Sequence, residues 1–182
     1  MPDKHAVLSP SSAARWLACP PSVKLSEGLP NPSSPYAQEG TLAHSICEYL
    51  LRGKKIDKFK KDKDFSQGML EYCTDYRAFI QKELNSMPNS ALLVEQTYYI
   101  EGIDECFGTS DATLINNNIL HVVDFKYGKG IEVAAAYNPQ MMIYAIGAYQ
   151  NLSLLYPDIK TVRMTIYPPR IVTGKQIGRA HV

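Results

Sequence analysis

Apolar residues recur at helical spacing in some stretches of the chain and alternate with polar ones in others. Leu42, Ala43, Ile46, Cys47 and Leu50 form a stripe that predicts a helix over Thr41–Leu51, with Thr41 as its cap. Met69, Cys73, Tyr76, Ile80 and Leu84 repeat the pattern and predict a longer helix over 65–84. Ser9, Pro10 and Pro20 punctuate a short opening helix, and a loop rich in Pro, Ser and Asn runs from there to Tyr36. The middle reads as sheet. Ala91–Ile100, Asp111–Ile115 and Ile119–Lys126 are rich in β-branched and aromatic residues, and Asn116–Asn118 marks a tight turn between the last two. Pro139 opens a helix that runs to Tyr149. Thr161–Tyr167 alternates as a strand that Pro168 and Pro169 end. Helices, three mainly antiparallel strands, a crossover helix and a further strand predict an α/β fold with a central mixed sheet flanked by helices.

The composition fits one domain with one core: 182 residues, 45% hydrophobic and 20% charged, exclude a disordered chain or a multidomain machine. Neither an export signal nor an apolar run of membrane-spanning length is present, which predicts a cytoplasmic protein with no membrane partner. Cys19, Cys47, Cys73 and Cys106 contain no C-x-x-C pair, so a disulfide framework or structural zinc site is not expected, and the last three read as core residues. The tail from residue 176 to 182 carries no packing logic and is also what one reading frame of a sequencing adapter would encode. The expectation is a domain over 1–175, a non-native tail at 176–182 excluding His181 from any site, and a truncated C-terminus.

A formal charge of +1 leaves a nucleic-acid partner open, so any basic patch must be local. One candidate is Arg52–Asp64, with seven basic and three acidic side chains, which reads either as a solvated loop or as a phosphate-contacting edge. Asp124 and Lys126 lie two apart on a predicted strand and so share a side, opposite Val123 and Phe125. With Asp111 from the neighbouring strand they can build a site where carboxylates hold a divalent cation and a lysine supports developing charge. A cross-strand salt bridge on a solvated face explains the same pattern. His44 and Glu48 share a helical face, which alone is an ordinary surface pair. Glu95 reads as an edge charge on the first strand, or as a residue with an indirect role near such a cation. Tyr127 and Lys129 can touch phosphate, but Tyr127–Gly130 also reads as a turn, and it is too short for a P-loop. No nucleophile, histidine and acid stand in a motif that suggests a covalent intermediate.

Gly108–Asp111, then Val122–Gly128, then Asn138–Tyr144 resemble the consecutive signatures of the PD-(D/E)XK nuclease superfamily in its RecB-like exonuclease branch. Glu39–His44 resembles the helical motif that supplies that branch with a histidine ligand. Leu8–Pro21 is similar to the start of a phage- and prophage-encoded group filed as a domain of unknown function. The resemblance implies a restriction-endonuclease-like core and a DNA nuclease, of the exonuclease kind, dependent on Mg²⁺ or Mn²⁺. It implies metal ligation by His44, Asp111, Asp124 and the Phe125 carbonyl, with Lys126 as the catalytic lysine. Gln140 and Tyr144 would lie beside the catalytic centre and position DNA and the lysine or water, although Gln140 also reads as a local hydrogen-bonding residue of the first helical turn and Tyr144 as a core aromatic. The second acidic signature is met by Asp rather than Glu, a ligand type either ion accepts. DNA, and phage recombination or replication proteins, are the implied partners, in the host cytoplasm if the gene is phage-borne. Relatives in the branch carry a [4Fe–4S] cluster on one early cysteine and three late ones. Cys19 reads either as the first of these, in a longer protein, or simply as a buried thiol at a helix end; no cysteine follows Cys106, so no cluster is expected within these residues. The alternative is a nuclease-like DNA-binding or assembly module that cuts little or not at all.

Overall fold

The computed structural model describes residues 6–29, 34–128 and 134–170, and the backbone of 178–181. Among the described residues, five α-helices, α1 (Ala13–Ala18), α2 (Ser22–Leu25), α3 (Pro35–Leu51), α4 (Gln67–Ser86) and α5 (Pro139–Leu152), accompany a single sheet. Its strands are β1 (Ala91–Tyr99), β2 (Phe107–Ile115), β3 (Ile119–Phe125), β4 (Thr161–Tyr167) and β5 (Gly178–His181), in that order across the sheet. β1, β2 and β3 run antiparallel. β3 and β4 are parallel, with α5 as the crossover that parallel strands require, and β5 returns antiparallel to β4. This is an α/β fold with a mixed sheet flanked by helices.

Alternation along β3 assigns the two faces. Val123 and Phe125 enter the core made with Ile46, Cys47, Met69, Tyr76 and Ile80 of α3 and α4. Leu120 and Val122 enter the other, made with Met141, Ala145 and Ala148 of α5. Cys47, Cys73 and Cys106 are buried and Cys19 is exposed. Among the described residues no helix is long and apolar enough to cross a membrane.

α3 begins at Pro35, ahead of the expected Thr41, because Ser34 caps it by accepting the Ala37 N–H and proline suits the first helical position. Thr41 instead donates its hydroxyl to the Ala37 carbonyl at 2.9 Å, one turn back. Ser9 makes no side-chain cap, and the first turn, Pro10–Ser12, is a 3-10 turn leading into α1. The Pro- and Ser-rich stretch holds the single-turn α2, and β2 begins at Phe107 rather than Asp111.

Candidate metal centre

Asp111 stands one rung beyond the last backbone pair between β2 and β3, Ala112 with Val123. Its side chain takes over where that ladder stops: Oδ2 accepts the Phe125 N–H at 2.7 Å. Oδ1 lies 2.7 Å from Nδ1 of His44 on α3. One carboxylate therefore ties a helix to two strands.

Glu95 reaches the same place by an unusual backbone. Its φ of 50° lies in the left-handed region, which costs a residue with a Cβ about 1–2 kcal/mol. β1 pairs with β2 on both sides, Val94 with Ala112 and Gln96 with Ser110, so the register does not slip. What changes is the facing. Before Glu95, Ala91 and Leu93 point toward α5 and Leu92 toward α3 and α4; after it, the even-numbered Tyr98 points toward α5. On β2, Ala112 and Leu114 face α3 and α4, whereas Gly108 faces Pro10 and Tyr144. The two-stranded ribbon turns over at the rung of Glu95 and Asp111. One ligand atom each from His44, Glu95 and Asp111 then lie within 4.8 Å of one another.

Asp124 and Lys126 face α5. Asp124 Oδ1 accepts from Gln140 Nε2 at 3.1 Å, and Lys126 Nζ donates to Gln140 Oε1 at 3.0 Å. Nζ also lies 3.1 Å from Asp124 Oδ2. Gln140 Nε2 contacts Tyr144 Oη at 3.4 Å, one turn along. Asn138 starts α5 by accepting the Met141 N–H, which places Gln140 in the first turn. The side chains of Asp111 and Asp124 are 12% and 6% exposed, whereas those of His44 and Lys126 are 35% and 34% exposed. The acids form the floor of the site, and the cations line its mouth.

Burial and mutual repulsion dominate the electrostatics. Burial, then the Asp111 charge, pushes Asp124 up to about 6 against the opposing pull of Lys126. The same two causes push Glu95 up to about 7, opposed by His44. For His44, burial opposes the charged imidazolium, but the charge and hydrogen bond of Asp111, aided by Asp124 and Glu95, win and raise it to about 9. Burial and the Asp124 charge raise Tyr144, so its phenol stays protonated. Three carboxylates face one lysine and one histidine. With all three acids ionised, negative charge is in excess even beside a charged imidazole, and an oxygen-rich donor set with one nitrogen is what a hard divalent cation accepts.

The family described as "Protein of unknown function (DUF2800)" matches residues 5–178. The chain belongs to the DUF2800 family. Its match takes in every residue of both clusters. The solved structure described as "Crystal structure of SSO0001" is similar to this DUF2800 chain at 12% identity, covering 93% of this chain and 76% of that one, with a TM-score of 0.27. A likeness so distant bears on neither fold nor activity.

Of the residues singled out in the DUF2800 sequence, His44 and Asp111 meet directly. Asp124, Lys126, Gln140 and Tyr144 form the adjoining network. Phe125 contributes its N–H to Asp111, while its ring is buried against Tyr76 and Tyr167. Glu48 pairs with Arg52 at 2.9 Å rather than with His44. The Tyr127 ring carries the Arg170 guanidinium at 4.5 Å, and Arg170 pairs with Glu39 at 3.0 Å; Lys129 lies outside the described residues. Glu95, which the sequence offered only as an edge charge or an indirect neighbour of a metal, is brought by the fold into the candidate ligand cluster itself. Its one visible mark was a lone carboxylate in an otherwise uncharged strand, Ala91–Tyr99.

Proposed function

We propose that this protein is a divalent-cation-dependent deoxyribonuclease that hydrolyses DNA phosphodiesters. The observation that carries the reading is the excess of carboxylate beside a lysine held at a fixed place. His44, Glu95 and Asp111 would hold the ion, with Asp124 next to them, and oxygen-preferring Mg²⁺ or Mn²⁺ suits that set. Such an ion supplies charge neutralisation at phosphate and acidifies water.

The chain's own residues supply positioning. Gln140 bridges Asp124 and Lys126, fixing the ammonium at the mouth of the site, where it stabilises negative charge developing on an attacked phosphate or orients a water. Tyr144 stays protonated and holds the amide of Gln140 from behind. The four motifs that resemble the RecB-like exonucleases support the same reading and favour attack from DNA ends.

The test is single-turnover cleavage of end-labelled single- and double-stranded DNA with Mg²⁺ or Mn²⁺, with EDTA and Asp124→Ala as controls. Lys126→Ala is expected to bind DNA as wild type does and to cleave roughly 10²–10³-fold more slowly. Lys126→Arg should not restore the rate, because a planar guanidinium cannot reproduce a compact ammonium. Equal cleavage by wild type and Lys126→Ala would remove the lysine from the chemistry. Binding without cleavage on every DNA form would favour the non-cutting module.

A further inference from the structure

The loop Arg52–Asp64 between α3 and α4 holds a formal +4 in a chain whose total is +1, leaving the remainder at −3. We propose that this loop is a phosphate track, holding the backbone of a nucleic-acid strand that leads to or from the carboxylate site. It rests on the DNA-cleavage reading above.

Arg52, at the end of α3, donates through Nη2 to the Val94 carbonyl at 2.8 Å, so the loop starts beside Glu95. His44 lies eight residues back on the same helix, about 12 Å at a rise of about 1.5 Å per residue. That length matches three to four nucleotides at about 3.4 Å of helix axis each. The loop therefore begins within a few phosphates of the site.

Asp57 is taken up by Lys60 at 2.8 Å, Asp64 lies 3.8 Å from Lys63, and Asp62 accepts the Asp64 N–H. Lys54, Lys55, Lys58 and Lys61 are exposed and, among the described residues, have no acidic partner. Lys54 and Lys58 stand over the Tyr49 ring of α3, 5.4 and 3.9 Å from its centroid, which holds two of these cations on the helix that bears His44. A site with excess carboxylate repels a polyanion, and an adjacent cationic strip offsets that repulsion. A lipid surface fits less well. The apolar residues of the loop, Ile56 and Phe59, pack into the α3 and α4 core instead of facing outward, so no apolar wedge accompanies the charge.

The experiment measures binding apart from cleavage. Labelled single-stranded and duplex oligonucleotides are titrated in EDTA from about 50 to 200 mM NaCl, a range over which phosphate contacts register. Wild type is compared with Lys54→Ser/Lys55→Ser/Lys61→Ser and with a charge-matched control, Lys24→Ser/Lys82→Ser/Lys160→Ser, whose lysines are exposed elsewhere. The loop variant should bind duplex at least about tenfold more weakly at the lowest salt, with a salt slope shallower by about 2–3. The control should keep the wild-type slope. An unchanged slope in the loop variant, or an equal loss in both variants, would overturn the track. So would phosphatidylserine vesicles or polyglutamate competing as well as DNA at equal charge. Wild type that cleaves DNA without loop-dependent binding overturns the track alone. Loop-dependent binding without cleavage in Mn²⁺ overturns the nuclease reading and leaves the track, and a wild type that binds no DNA removes both.

Discussion

His44, Glu95 and Asp124 are each raised, to about 9, 7 and 6 from ordinary values of 6.5, 4.5 and 3.8. In each case the folded protein keeps a proton that the unfolded chain has lost, so metal-free stability falls as pH rises. The two acids act first, between about 4 and 7. The stabilising His44–Asp111 pair is fully present below about 6.5 and is lost as pH passes about 9. A bound cation needs the opposite protonation state and expels those protons. The melting temperature in EDTA should therefore fall from about pH 5 to pH 9, while the increment given by Mn²⁺ grows; an increment flat with pH would contradict the ligand set. Glu95 offers a second test, because its carboxylate and its φ of 50° both oppose the metal-free fold. Glu95→Gly is expected to melt higher than wild type in EDTA at about pH 8 and to lose the Mn²⁺ increment. Glu95→Ala should lose that increment too but, keeping a Cβ in the left-handed region, stay about 1 kcal/mol less stable than the glycine variant in urea unfolding. The sequence offered Glu95 no more than an indirect role for the same backbone reason: period-two alternation assigns each side chain a face only while the ribbon keeps its facing.

Elements were more legible than residues. The Asn116–Asn118 turn announced the β2–β3 hairpin, whose pairing runs from Ile115 with Leu120 to Ala112 with Val123. Alternation correctly put Asp124 and Lys126 on one side and Val123 and Phe125 on the other. The start of α3 was misread because Thr41 and the apolar stripe after it masked the Ser34–Pro35 cap. No spacing in the sequence joins His44 to Asp111, since that contact depends on how α3 lies over the sheet; only the family resemblance brought the two together. Gly108 tests how tightly the opening turn is seated. A Cβ there would stand 2.6 Å from Pro10 Cγ and 2.8 Å from Tyr144 Cε1. Gly108→Ala is expected to cost about 1–3 kcal/mol in urea unfolding, and to slow cleavage as well by displacing Tyr144 from Gln140. Wild-type stability in that variant would mean that the Pro10–Ser12 turn moves aside freely.

At the scale of the whole molecule, near-neutrality conceals separation of charge. The sequence pI is about 7.6, yet the chain should be retained on a heparin column at that pH because a column senses the exposed strip rather than the sum. The Lys54/Lys55/Lys61 triple variant should elute markedly earlier than the Lys24/Lys82/Lys160 control, and co-elution would mean that retention follows net charge. The parallel pairing of β3 with β4 carries a consequence in time. A chain that has emerged from the ribosome as far as Lys126 already presents His44, Glu95 and Asp111, on one helix and one hairpin. Gln140, which grips Lys126, and Tyr167, whose carbonyl accepts the Lys126 N–H at 3.0 Å, are still to emerge. The nascent protein can therefore assemble a place for a cation while its lysine is still untethered, and the crossover through α5 is the step after which the two mature together.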